Sequence, residues 1–200
     1  DVYKSLDADN DFQELSRQAV VALQSGDSGA LAQWQRFIDI SMSHCQHIYD
    51  RLGITLSSGD IMGESAYNDD HAGGITSLED AGLLQESEGA ACVFLDQFKN
   101  KDGDIQPVIV RKSDGGYLYA TTALADVPHR TQRLGADRGL YFVDARQSLL
   151  FKQIFAVAKA AGFASEQSSL EHLPFGTMLG KDGKPFKTRQ GGIIKLAELL

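Results

Sequence analysis

Apolar residues recur at helical spacing through the first quarter of the chain. Asp11–Leu23 predicts an amphipathic helix, ended by the breaker Ser25-Gly26-Asp27-Ser28-Gly29. Over Ala30–Leu52 the stripe Leu31, Trp34, Ile38, Met42, Cys45, Ile48, Tyr49 and Leu52 predicts a second, longer helix. The two are expected to form an antiparallel hairpin with that stripe as its core. Ile54–Asp70 has no clear period, and Thr76–Leu84 reads as a short helix. Ala90–Phe98, Gln106–Lys112 and Tyr117–Thr121 read as strands, joined as hairpins by Asn100–Asp104 and Ser113–Gly116. A helix over Thr122–Leu134 follows, then a strand (Gly139–Val143), a helix (Leu149–Ala161), a strand (Leu170–Leu173), a loop and a terminal helix. Strands alternating with helices imply βαβ units and a parallel sheet. The expected fold is therefore α/β. A helical and hairpin segment over residues 1–104 precedes half of a nucleotide-type parallel sheet over residues 105–200.

Charge divides the chain at the same place. Residues 1–104 carry 19 acidic and 6 basic side chains, whereas residues 105–200 carry 8 acidic and 13 basic ones. An anionic partner is expected to contact only the second half, or else the first half is simply a solvated acidic surface. With 42% apolar residues, the 200-residue chain can build a core, and no stretch is apolar enough to span a bilayer. No secretory signal opens it, so a cytoplasmic protein with reduced Cys45 and Cys92 is expected, with a disulfide left open. A start at Asp1 and an end at Lys195–Leu200 that reads as the first turns of a helix both look like cuts through something larger.

Candidate chemistry concentrates in Glu171–Gly192, EHLPFGTMLGKDGKPFKTRQGG. It holds Lys181, Lys184, Lys187 and Arg189 among five glycines. Such a loop lets backbone and cations approach phosphate; a solvated basic turn is the alternative. In an open parallel sheet, ligands sit at the C-terminal strand ends. Asp144-Ala145-Arg146-Gln147 and the basic loop both follow strands, so both are expected to face one crevice. His44, Cys45 and His47 share a helix but lack further ligands at useful spacing, so no metal site is expected. Asn100–Asp104 fails as a calcium loop, which would place Phe98 and Ile109 at ligand positions, and reads as a turn.

Five segments together resemble the bacterial type of arginyl-tRNA synthetase, a class I aminoacyl-tRNA synthetase. They are SHCQHIYDRLGITLSSGDIMGESAYN (43–68), SEGAACVFLDQFKNKDG (87–103), YLYATTALA (117–125), ADRGLYFVDARQSLLFKQIFAVAKAAG (136–162) and HLPFGTMLGKDGKPFKTRQGG (172–192). The resemblance runs in order along the whole chain. It implies part of an insertion followed by the second half of a Rossmann-like catalytic domain. It implies ATP-dependent activation of arginine and transfer to tRNA, with ATP and Mg2+ as substrate and no tightly bound cofactor. The HIGH-type signature and the anticodon-binding domain have no counterpart in these residues. The segment is therefore expected to be inactive alone, and the missing half of the synthetase is a candidate partner.

The resemblance also assigns residues. Lys187 and Arg189 fall in the KMSKS-type loop, here PFKTR, and are expected to hold the ATP phosphates; Thr188 stands where the consensus has a second lysine. His172, Gly176 and Met178 are expected to border the adenine. Tyr119, Gln147 and Glu64 are expected at the arginine side chain. Where the family places an aspartate for the guanidinium stands Ala123. Losing a buried charge-assisted bond costs on the order of 2–5 kcal/mol. Leu150 replaces a histidine, and Pro128-His129 replaces a basic residue and a tyrosine. Asp126, three residues after Ala123, is a candidate substitute carboxylate. These departures imply relaxed or lost arginine selection. The competing expectation is a non-catalytic, degenerate module that binds nucleotide, tRNA or a protein.

Overall fold

The computed structural model describes residues 10–180, 183–184 and 196–200. It divides into two compact units, one of Asp1–Asp60 with Met178–Leu200 and one of Ile61–Thr177.

In the first unit, α1 (Asn10–Gln24) and α2 (Ser28–Arg51) pack against each other as the expected hairpin. Asp27 caps α2, its carboxylate accepting from the Ala30 N–H at 2.8 Å. No residue of α2 is buried, however, and Leu31, Phe37, Ile38 and Ile40 are exposed. The apolar stripe is thus not a closed core: two helices bury only the line along which they touch. A short C-terminal helix, Leu196–Leu199, meets α2 where Arg51 donates to the Ala197 carbonyl at 3.1 Å. No helix among the described residues is long and apolar enough to cross a membrane.

The second unit holds the core. Helix α3 (Asp70–Asp80) starts six residues earlier than the period suggests and ends before Gly82, whose φ of 67° suits a helix C-terminus. Strands β1 (Leu84–Ser87) and β2 (Ala90–Val93) then form a hairpin through Glu88-Gly89, both at positive φ. That turn matches strand twist, as type I′ loops do. Leu84, the expected last residue of the preceding helix, is instead the first residue of β1. Strand β3 (Val108–Arg111) adds antiparallel to β2. The expected boundary at residue 104 lies between these two paired strands; charge changes there but packing continues across it.

Tyr117–Thr121 is not a strand. Helix α4 spans Tyr119–Pro128, because Thr121 turns the chain. Its hydroxyl accepts from the Leu118 N–H at 3.1 Å and donates to the Val110 carbonyl at 2.6 Å, capping the helix and pinning it to β3. Pro128 has no N–H to return to the preceding turn, and the helix widens into a π turn over His129–Arg133.

Strands β4 (Arg138–Asp144) and β5 (Ser169–Phe175) are parallel and joined through α5 (Ser148–Ala160), the expected βαβ unit. Asp144 pairs with Phe175, so the two strands end together. At their start Arg138 grips Glu171 with two bonds, 2.6 and 2.8 Å, holding the Glu171 carboxyl down at about 2. Ile154 and Val157 of α5, Leu124 and Val127 of α4, and Val93 and Val110 of the small sheet form one buried cluster.

His71 is buried beside it, with Nε2 3.1 Å from the Thr122 hydroxyl. Burial lowers its pKa below the ordinary 6.5, opposed by the Asp70 charge. The neutral ring is therefore preferred in the fold. Its contribution is complete above 6.5 and is lost as pH falls from there towards the lower folded value. Urea midpoints at pH 7.5 and 5.5 are expected to differ more for the native chain than for His71→Gln; equal differences would assign the slope to other groups.

Candidate functional site

A cleft of about 280 Å³ opens in the second unit between α4, β4 and the 3-10 turn Glu64–Tyr67. Helix α4 presents Tyr119, Thr122, Ala123 and Asp126 to it at helical spacing, and Arg130 follows from the π turn. Strand β4 supplies Leu140–Val143, and Phe151 of α5 closes the base.

Asp126 is the centre of its polar chemistry and is only 7% exposed. The Tyr67 hydroxyl donates to Asp126 Oδ1 at 2.7 Å. Arg130 Nε donates to Oδ1 and Oδ2 at 2.6 and 2.7 Å. The same guanidinium sits over the Tyr141 ring, 5.1 Å from its centroid. Burial, and then the Asp126 bond, pushes the Tyr67 phenol up to about 12. Burial is the largest single influence on Arg130 and opposes its charge, but the Asp126 bond, the Asp126 charge and the nearby Tyr141 and Tyr67 together outweigh it and raise its pKa. The Tyr141 hydroxyl is buried beside Asp126 without meeting it in good hydrogen-bond geometry, and burial, followed by the Asp126 charge, raises its pKa strongly. Tyr119 is also shifted upward, by burial first and then by the charges of Glu64 and Asp126.

Of the residues expected at the amino-acid side chain, Glu64 and Tyr119 thus share one cleft with Ala123. Tyr119 stands in the first turn of a helix, not on a strand. Gln147 lies outside the lining of this cleft, in the 3-10 turn Ala145–Gln147 past β4. That turn is held by Asp144, which accepts from the Arg146 N–H at 2.8 Å and from its guanidinium at 2.9 Å. Thr177 donates to the same carboxylate at 3.0 Å, tying the end of β5 to the end of β4. These bonds, Arg146 foremost, hold the Asp144 carboxyl well below the carboxylate range.

His172 stands on β5. Its Nε2 donates to the Val143 carbonyl at 2.9 Å, and its ring stacks on Phe151 at 5.0 Å. Gly176 lies just past the strand, where an added Cβ would meet nothing within 4 Å. Met178 is exposed and begins the C-terminal part of the first unit. Beyond it Gly180 and Lys184 close a turn, the Gly180 N–H donating at 2.8 Å. Lys187, Thr188 and Arg189 lie outside the described residues. Leu150, in place of the expected histidine, is half-buried against the core. Sequence reasoning missed Tyr67, Arg130 and Tyr141; the i,i+4 spacing of Asp126 and Arg130 was the one available signal.

A βαβ unit with its strand ends aligned beside a cleft of phenols and carboxylates is the place where an open α/β sheet receives a ligand. A family model for tRNA synthetases class I (R), catalytic domain, matches residues 1–200, and the chain belongs to that family. The relatives are arginine–tRNA ligases. That of Marinomonas sp. (strain MWYL1) is 56% identical over 194 residues, covering 97% of this chain and 34% of its own length. That of Pseudomonas fluorescens (strain SBW25) is 56% identical over 197 residues, covering 98% and 34%. A crystal structure of arginyl-tRNA synthetase from Plasmodium falciparum matches 84% of this chain and 28% of that one, with a TM-score of 0.73 and 25% identity. The chain spans about a third of the length of the curated relatives it matches.

Proposed function

We propose that these residues supply part of the catalytic site of an arginine–tRNA ligase. The reaction joins arginine to ATP, releases pyrophosphate, and passes the arginyl group to the tRNA terminal ribose. The observation that carries the reading is the family match over all 200 residues, with Tyr119 and Glu64 together in one cleft. In this reading Tyr119, Glu64 and Gln147 serve the amino acid, and His172, Gly176 and Met178 border the adenine. Lys187 and Arg189 neutralise the ATP phosphates as charge moves onto pyrophosphate, with Mg2+ accompanying the nucleotide. The cytoplasm is the compartment, and the remaining two-thirds of a synthetase is the partner that completes the site.

The test replaces the matching third of the Marinomonas ligase with these residues and follows arginine-dependent ATP–pyrophosphate exchange. Lys187→Ala and Arg189→Ala are each expected to slow exchange roughly 10²–10³-fold, as loss of one transition-state contact does. Exchange indifferent to both changes would overturn the phosphate roles. The 200 residues alone are expected to show no exchange.

The second reading, a non-catalytic module, is favoured by Ala123 and by the internal pairing of Asp126 with Arg130. Ala123→Asp in the same chimera separates the two. Exchange already at the parent's level with Ala123 excludes the degenerate reading.

A further inference from the structure

We propose that Asp144 is a positioning residue that holds the two substrate subsites in register, fixing the backbone around Gly176 with one arm and the turn that carries Gln147 with the other. The inference rests on the reading that Gly176 borders the adenine and Gln147 serves the amino acid.

Asp144 is the last residue of β4, at the end of the sheet where ligands of an open parallel fold gather. Its Oδ1 accepts from the Arg146 N–H at 2.8 Å and from Arg146 Nε at 2.9 Å. Its Oδ2 accepts from Arg146 Nη2 at 2.9 Å and from the Thr177 hydroxyl at 3.0 Å. A carboxylate oxygen has two lone pairs, so little capacity is left for a substrate or a metal ion. The group holds protein rather than ligand. What it holds is otherwise weakly anchored. Pro174, Phe175 and Gly176 are exposed, and a Cβ added at Gly176 would meet nothing within 4 Å. The end of β5 therefore takes little of its position from packing. Asp144 fixes it on both flanks of Gly176: Phe175 is its register partner in the sheet, and Thr177 is bonded to its side chain. On the other side Asp144 caps the 3-10 turn Ala145–Gln147, which ends on Gln147. Val143, the residue before it, accepts the His172 bond at 2.9 Å, so a second expected neighbour of the adenine hangs from the same strand end. Attack of one substrate on the other needs both placed to better than about 1 Å, and a single carboxylate bonded towards both subsites supplies that.

The test uses the Marinomonas chimera and reads ATP–pyrophosphate exchange with each substrate varied in turn. Thr177→Val cuts only the β5 arm. KM for ATP is expected to rise about three- to tenfold, while KM for arginine changes less than about twofold. Thr177→Ser keeps the hydroxyl and is expected to restore both constants. Asp144→Ala cuts both arms, and both KM values are expected to rise. A merely structural role would lower kcat through loss of folded enzyme and leave both KM values unchanged; circular dichroism reports the folded fraction. If Asp144→Ala does not fold, Thr177→Val decides by itself. Equal changes in the two KM values on Thr177→Val, or no change in either, with Lys187→Ala still slowing exchange, would overturn this inference and leave the catalytic reading intact. No arginine-dependent exchange by the unmutated chimera would overturn the catalytic reading and the inference with it.

Discussion

Phe151→Ala is expected to destabilise the second unit by about 3–5 kcal/mol, the usual cost of removing a fully buried aromatic ring. Phe151 is 1% exposed and stands where three layers meet. Its ring centroid lies 5.4 Å from Tyr141 on β4, 5.7 Å from Phe155 on its own helix and 5.0 Å from His172 on β5. Neither strand can close over the gap without shifting, because each is fixed to the other by parallel pairing along seven residues. The ring also floors the cleft. Phe151→Leu is expected to cost much less, since it keeps most of the volume. Urea denaturation of both variants checks this. A loss under 1 kcal/mol for the alanine variant would mean that the aromatic cluster is not the keystone of the βαβ unit.

The elements that were legible in the sequence are those whose pattern is long. The stripe from Leu31 to Leu52 spans six turns, and α2 covers nearly the same residues. Gly139–Val143 and Leu149–Ala161 are bounded by turn residues on both sides, so β4 and α5 follow. Five residues, Tyr117–Thr121, are too few for their pattern to separate a strand from a helix start. The deciding force, the Thr121 hydroxyl reaching Val110, comes from another element. β1 was hidden for a similar reason: Leu84–Ser87 has one apolar residue, and its pairing with β2 makes it a strand.

The candidate site divides the same way. Resemblance placed Tyr119 and Glu64, and the fold brings them into one cleft although 55 positions separate them in the sequence. It also marked Ala123 as the missing carboxylate and Asp126 as a candidate substitute. Only the i,i+4 spacing to Arg130 hints in the sequence that Asp126 is already paired. The Tyr67 bond crosses 59 residues and has no local signal at all, whereas the Arg130 bond is a local i,i+4 contact.

That pairing makes Asp126 the second sensitive position. Asp126→Ala leaves the Tyr67 hydroxyl buried without an acceptor and removes the counter-ion of Arg130. A fully buried pair broken on one side costs about 3–5 kcal/mol. Arg130 is 39% exposed along its side chain, so water recovers part of that, and about 2–4 kcal/mol is expected here. Asp126→Asn still accepts from Tyr67 and should lose less. Arg130→Met strands a carboxylate that is only 9% exposed and should destabilise comparably. Removing both charges, as Asp126→Asn with Arg130→Met, should then cost less than the two single losses added. A coupling of at least about 1 kcal/mol in the double-mutant cycle is the expected sign of a real pair. Additive losses would mean that Arg130 is held by its stacking on Tyr141, leaving Asp126 free to serve as the substitute carboxylate for arginine.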